Sequence, residues 1–228
     1  MFAPSVEKWR DTFAGPAMSA GLPIDFVLAW IAHESGGNVC SVGIAGVEAG
    51  LFQTYHPDDD RFGPSTFASL RSACAGTKQF RSLDSDEVAM HIRNGIEYLE
   101  NRRNRTRVAL DAIDADWPEG SSDFWKLVKL HHVLPALFAF LPGYKRAHGV
   151  APSGWSQFRS WVEGLSREDF AAVSPNAARW SSASERARLF NNAENVGKYG
   201  GAEKLLGFVS LDLAVLLGVA FVLYLFTR

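Results

Sequence analysis

The sequence predicts an all-α protein: a helical domain over residues 1–203, then a single apolar C-terminal helix within 204–228. Three observations lead there. Apolar residues recur at three- and four-residue spacing through the domain, no stretch sustains the period-two alternation of a half-buried strand, and the composition shifts abruptly near Lys204. With 228 residues and an apolar fraction of 47%, the chain can bury a real core in one domain and still carry an appendage.

The opening stretch, MFAPSVEKWRDTFAG, lacks the basic-then-apolar order of a secretion signal, and Glu7, Arg10 and Asp11 interrupt any apolar run. Ile24, Val27, Leu28 and Ile31 then mark one buried helix face, with Pro23 suited to the first turn and Gly36-Gly37 ending the helix. Pro64 to Ala75 is a short second candidate. A longer helix starts near Asp84 or Ser85, with Val88, Ile92, Gly95, Ile96 and Leu99 inward. Asp123 is a candidate cap for a helix carrying Trp125, Val128 and His132 on one stripe until Pro135. Ser153 to Leu165 places Trp155, Phe158, Val162 and Leu165 at core spacing, and Ser166-Arg-Glu-Asp169 resembles a capping box with Asp in place of Glu. A last helix of the domain is expected from about Pro175 to Tyr199, before the Gly200-Gly201 break.

Leu205 to Phe226 reads LLGFVSLDLAVLLGVAFVLYLF. As a helix it would be about 33 Å long, enough for the roughly 30 Å hydrocarbon core of a bilayer. Lys204 and Arg228 flank it and Tyr224 lies near one end, so the expected partner of residues 205–226 is a membrane. Asp212 inside that span costs about 2.5–3.5 kcal/mol on insertion scales, which roughly six or more strong apolar residues offset. It is expected to be protonated or paired with a neighbouring chain, which makes it a candidate oligomer contact.

A net charge of -2 argues against broad nucleic-acid binding, which needs a basic face to displace counterions. The local run Asn101-Arg-Arg-Asn-Arg-Thr-Arg107 reads as a solvated helix end. The two cysteines, Cys40 and Cys74, form no Cys-x-x-Cys pair, so zinc and redox motifs have nothing to build on. They are either two separate thiols or a disulfide closing a loop of roughly 34 residues.

The chemistry-bearing stretch is Pro23 to Gln53, PIDFVLAWIAHESGGNVCSVGIAGVEAGLFQ. Glu34 continues the inner stripe three residues beyond Ile31, at the last turn, where the helix meets a loop containing Gly43, Gly46 and Gly50. Partial burial is expected to raise its carboxyl pKa, keeping it protonated near neutral pH as a general acid requires. The glycines let main chain approach a flat sugar ring, and Gln53 can donate and accept hydrogen bonds to sugar hydroxyl or N-acetyl groups.

His33-Glu34-Ser35-Gly36-Gly37 followed by Ala49-Gly50-Leu51-Phe52-Gln53 resembles the soluble lytic transglycosylase family, which has a lysozyme-like fold; the likeness is concentrated in residues 22–56. It implies that Glu34 protonates the glycosidic oxygen between N-acetylmuramic acid and N-acetylglucosamine. Glu34 then acts as base while the muramyl 6-hydroxyl closes a 1,6-anhydro ring. No cofactor, metal or second carboxylate is implied. Ser35, Gly50, Leu51 and Gln53 are the corresponding candidate substrate-binding residues, and Tyr55 and His56 could add stacking on a sugar face.

The family's next motif is Ala-Tyr-Asn, whose Tyr supports the catalytic Glu, whereas Leu127 to Leu134 reads LVKLHHVL. Either His131 or His132 can take over that support, or be an ordinary core or surface residue; His132 is retained as a site candidate. Leu189 to Val196 resembles the family's last groove-lining helix, with Asn191, Asn192 and Asn195 as possible sugar contacts. A second carboxylate would turn the lyase into a hydrolase of goose-type-like muramidase kind; the candidates are Glu48 and the run Asp58-Asp59-Asp60. That run otherwise reads as a solvated loop without the alternating order of a calcium site. Peptidoglycan lies outside the inner membrane and the opening stretch does not read as a secretion signal; the resemblance to transglycosylases of this layout in membrane-containing phages then implies a virion membrane, with the enzyme opening the wall for genome delivery. The rival setting is a bacterial inner membrane. A non-catalytic, membrane-anchored glycan-binding or assembly protein is the alternative from another class, and a holin-like pore former a third.

Overall fold

The computed structural model describes residues 1–43, 48–55, 85–134 and 136–201. Two short helices, α1 (Pro4–Glu7) and α2 (Arg10–Ser19), lead into α3 (Ile24–Ser35). A two-stranded antiparallel hairpin follows, β1 (Glu48–Ala49) and β2 (Thr54–Tyr55), pairing Glu48 with Tyr55 and Ala49 with Thr54. The rest is helical: α4 (Ser85–Asp111), α5 (Ser122–Val133), α6 (Leu137–His148), α7 (Trp155–Gly164), α8 (Arg167–Val173), a 3₁₀ segment (Pro175–Trp180) and α9 (Ala183–Gly197). The described residues are mostly helical with almost no strand, as an all-α reading requires. The hairpin went unforeseen because two residues per strand are too few to display a period of two.

Local chemistry explains the helix boundaries. Pro23 sits at the N-cap of α3 rather than within its first turn, and Gly36 closes the helix in the left-handed region at φ +61°. The cap of α5 is Ser121, not Asp123: the Ser121 hydroxyl accepts from the Phe124 N–H. Asp123 instead accepts from the Trp155 N–H at 3.0 Å and pairs with Lys126 at 2.8 Å, joining α5 to the start of α7. Ser166 does cap α8, its hydroxyl accepting from the Asp169 N–H at 3.0 Å. The expected single helix from Pro175 to Tyr199 is broken, because Ser182 caps a new helix by accepting from the Glu185 N–H.

The core lies around α3 and α5. α9 packs most extensively on α5 and also touches α3, while α4 flanks α5 from another side. Trp30, Phe26, Phe52, Tyr98 and Trp125 are all buried in it. Gly95 on α4 permits one decisive approach: a Cβ there would lie 2.1 Å from Cε2 of Phe52, so only glycine lets the hairpin turn press against this helix.

Cys40 is disulfide-bonded, and Cys74, the only other cysteine in the sequence, lies outside the described residues. Also outside are His56, Asp58-Asp59-Asp60, the expected helix at Pro64 to Ala75, and the apolar stretch 205–226 with Asp212 and Tyr224. Among the described residues no helix is long and apolar enough to cross a membrane.

Candidate active site

Val27, Ile31 and Glu34 follow helical spacing, so one face of α3 runs from buried aliphatic to carboxylate in two turns. Glu34 emerges one residue before the helix ends, with its side chain only 15% exposed. Beside it the hairpin is fastened by three bonds. The Ser35 hydroxyl lies 2.9 Å from the Leu51 carbonyl and 3.0 Å from that of Ile31, and can donate to either. Trp30 Nε1 donates to the Phe52 carbonyl at 3.3 Å, and the Leu51 N–H donates to His91 Nε2 at 3.1 Å.

From the other side α5 presents Lys129 and His132, three residues apart and therefore on one face. Lys129 Nζ donates to Glu34 Oε1 in a close ion pair; its side chain is fully buried and its ammonium lies 3.9 Å from the centroid of the Trp30 ring. His132 Nε2 lies 3.5 Å from the same carboxylate oxygen, and Tyr98 of α4 lies 2.6 Å from His132 Nδ1. Burial and the Lys129 charge push His132 down to about 4, so its ring is neutral near pH 7. Nε2 then carries the single ring proton toward Glu34, leaving Nδ1 to accept from the Tyr98 hydroxyl. Burial raises Tyr98 to about 12, keeping that hydroxyl protonated.

These contacts correct one expectation. Burial alone would raise the Glu34 carboxyl, but the Lys129 charge and the His132 hydrogen bond outweigh it and hold the group well below the usual carboxylate range. Glu34 is thereby held as a carboxylate against the Lys129 side chain. Burial favours neutral amine and lowers the Lys129 pKa, while the adjoining Glu34 opposes that shift. The acid's environment is decided by a cation that periodicity along α3 cannot reveal.

The other candidates take different places. Leu51 and Gln53 are buried, and the Gln53 side-chain amide donates to the Ser41 and Gly50 carbonyls at 2.9 and 2.8 Å. Gln53 therefore braces the turn, itself at φ +48°, and its donors are not free for sugar as expected. Gly50 is also buried, at φ +80°, with its N–H donating to Ser41. Tyr55 stands opposite Glu48 on the hairpin.

Glu48 belongs to the electrostatic environment of Glu34: burial raises its carboxyl pKa, and the Glu34 charge raises it further against the opposing Lys129. His131 is turned away, 3.3 Å from Arg102 and stacked edge-on against Phe138, and burial pushes it down to about 2. His33 is exposed beside the site. Asn191 accepts from Arg159 at 3.0 Å, and Asn195 is exposed on α9.

Lys129 and Tyr98 were not singled out in the sequence. A signal for Lys129 exists: it falls four residues after Trp125, so a lysine interrupts a core stripe. For Tyr98 the signal is the polar series His91, Asn94, Tyr98 and Arg102, spaced by three or four on α4, every member of which is buried. Two grooves of about 500 and 410 Å³ open elsewhere, between α2 and α4 and between α4 and α6, and Glu34 lines neither.

No protein-family model, curated protein or solved structure matches the chain.

Proposed function

We propose that this chain is a peptidoglycan lytic transglycosylase of lysozyme-like arrangement, with Glu34 as its single catalytic acid/base. The observation that carries the reading is a shielded carboxylate at the end of a core helix, gripped from α5 and set directly against a short hairpin that Ser35 ties to the same helix end. A glycosidic bond lying over Oε1 would meet an oxygen whose position is fixed by Lys129 and His132. After leaving-group protonation, the carboxylate regenerated there can accept the muramyl 6-hydroxyl proton as the anhydro ring closes. His132 supports the reading by setting a ring nitrogen 3.5 Å from the same carboxylate oxygen, with Tyr98 behind it.

A second reading, a goose-type-like muramidase, is favoured by one observation. The Glu48 carboxyl pKa is raised, in part by the Glu34 charge, while that of Glu34 is lowered, and a hydrolase needs two carboxyls whose environments push their pKa values apart. The anchor at residues 205–226 is part of the proposal and rests on composition, and the virion setting rests on the resemblance drawn from the sequence.

Mass spectrometry of the sugar ends released from purified peptidoglycan by the full-length chain, Glu34→Gln and Glu48→Gln separates the readings. Anhydromuramyl ends that vanish in Glu34→Gln and persist in Glu48→Gln support the lyase. Reducing ends that vanish in both variants support the hydrolase. No release by the unaltered chain sinks both and leaves a glycan-binding module as the better account.

A further inference from the structure

The Lys129–Glu34 pair is asymmetric. The lysine end is fully buried on α5 against the Trp30 ring, while the carboxylate end retains 15% exposure. Water therefore reaches this ion pair through Glu34. The groups that face the pair are His33 from α3, Glu48 from β1, His132 from α5 and Tyr98 from α4, with Arg102 acting on His132 from behind. Among these, His132 is neutral and faces the carboxylate, so Lys129 is the cation that contacts Glu34. A general acid must hold a proton when the leaving oxygen arrives, and here the nearest transferable proton is on Nζ.

We propose that Lys129 is the positioning residue that stores the acid proton of Glu34 and returns it when a glycan strand covers the carboxylate. This rests on the glycan-cleaving reading above and supplies the step that reading lacks. Covering Glu34 removes the water that stabilises its charge, and a dry carboxylate–ammonium contact loses its advantage over the neutral carboxyl–amine form. The Nζ–H bond breaks as the Oε1–H bond forms, leaving a neutral amine beside a neutral acid. The proton next passes from Oε1 to the glycosidic oxygen as the C–O bond breaks. The carboxylate takes the 6-hydroxyl proton as the new O–C1 bond forms, and that proton goes back to Nζ when product leaves. One proton circulates and none is consumed.

Because the pair carries one proton in either form, the wild-type alkaline limit of kcat/KM reports loss of the shared proton, not the titration of an isolated carboxyl. The experiment is the pH profile of glycan-end release by full-length wild type, Lys129→Met and Lys129→Arg, with circular dichroism confirming that each is folded. Lys129→Met should move the alkaline limb down by about two pH units, because Glu34 alone would then have to keep its proton. Lys129→Arg keeps the cation but cannot give up its proton, so kcat should fall about 100-fold with KM little changed. A limb in the methionine variant that stays or moves up, as removal of a fixed counter-charge from Glu34 would require, or a wild-type kcat in the arginine variant, overturns the proposal. Should the methionine variant not fold, the arginine variant and the carboxyl carbon-13 resonance of Glu34 decide. That resonance should change from ionised to protonated when chitotetraose binds the wild type, and no change overturns the proposal. A wild type that releases no ends of either kind overturns the glycan-cleaving reading and this step with it.

Discussion

Tyr98 Oη lies 2.6 Å from Nδ1 of His132, and the other nitrogen of that ring lies 3.5 Å from the Glu34 carboxylate. Three helices thus meet in one chain of contacts, with a protonated phenol at the buried end and a largely shielded carboxylate at the other. The neutral imidazole transmits the orientation imposed by Tyr98.

Tyr98→Phe removes the donor to Nδ1 and leaves that buried nitrogen without its partner, a change expected to cost about 1–3 kcal/mol of stability. Glycan cleavage should fall about tenfold as His132 loses its preferred tautomer. In a His132→Phe background the same tyrosine substitution should lower activity no further. An additive loss in the double variant would show that Tyr98 acts by some other route.

Acid should destabilise the fold well before ordinary carboxylates titrate. His132 is held down to about 4 and His131 to about 2, both below the usual 6.5, so the unfolded chain takes up these protons first as pH falls. Their contribution is intact above about 6.5 and is lost on descending toward 4 for His132 and further for His131. Each histidine contributes a slope of about 1.4 kcal/mol per pH unit inside its window. The depressed Glu34 adds to the loss only below the ordinary carboxylate range. Urea midpoints measured from pH 7 to 4.5 should fall steadily, and His131→Phe should roughly halve the slope. A flat midpoint would mean that the folded protein protonates these rings.

Gly95→Ala should destabilise by about 1–3 kcal/mol, because the new methyl enters the Phe52 ring and either the hairpin turn or α4 must move. Chemical denaturation reads the cost, and a neutral result would mean that Phe52 has another rotamer at hand. Activity should fall with stability, since Phe52 adjoins the Leu51 that Ser35 fastens to the Glu34 helix.

Ser35→Ala deletes the hydroxyl shared by the Ile31 and Leu51 carbonyls and the acceptor of the Gly37 N–H. Its expected cost is about 1 kcal/mol globally, with a larger local effect on the hairpin. Amide exchange at Gly50 and Leu51 should quicken while that of the buried α5 amides stays slow. Unchanged exchange at the turn would show that Trp30 and His91 hold it unaided.

Much of the framework was legible because it depends on neighbours in sequence. The face Ile24, Val27, Leu28, Ile31, the left-handed Gly36 and the Ser166 cap are local facts of periodicity and backbone geometry. Reading failed where two local options were close in energy and a distant contact chose between them. Ser121 and Asp123 can each cap a helix, and the start of α7 engages Asp123 through the Trp155 N–H. Gln53 looked like a sugar ligand because its amide is versatile, but the turn consumes both donors. By sequence either His131 or His132 could support Glu34, with His132 the one on the Trp125–Val128 stripe; a rotation of about 100° per residue along α5 sends His131 to Arg102 and His132 to Glu34.

By itself the sequence determined that a glutamate ends the inner stripe of a core helix, next to a glycine-bearing loop that folds back against it. Helical periodicity and the left-handed tolerance of glycine suffice for that. The charge on that glutamate was decided by tertiary structure alone. Folding places the buried Lys129, 95 residues away, against Oε1, and the free energy of an ionised pair depends on distance and surrounding dielectric, neither of which is encoded locally.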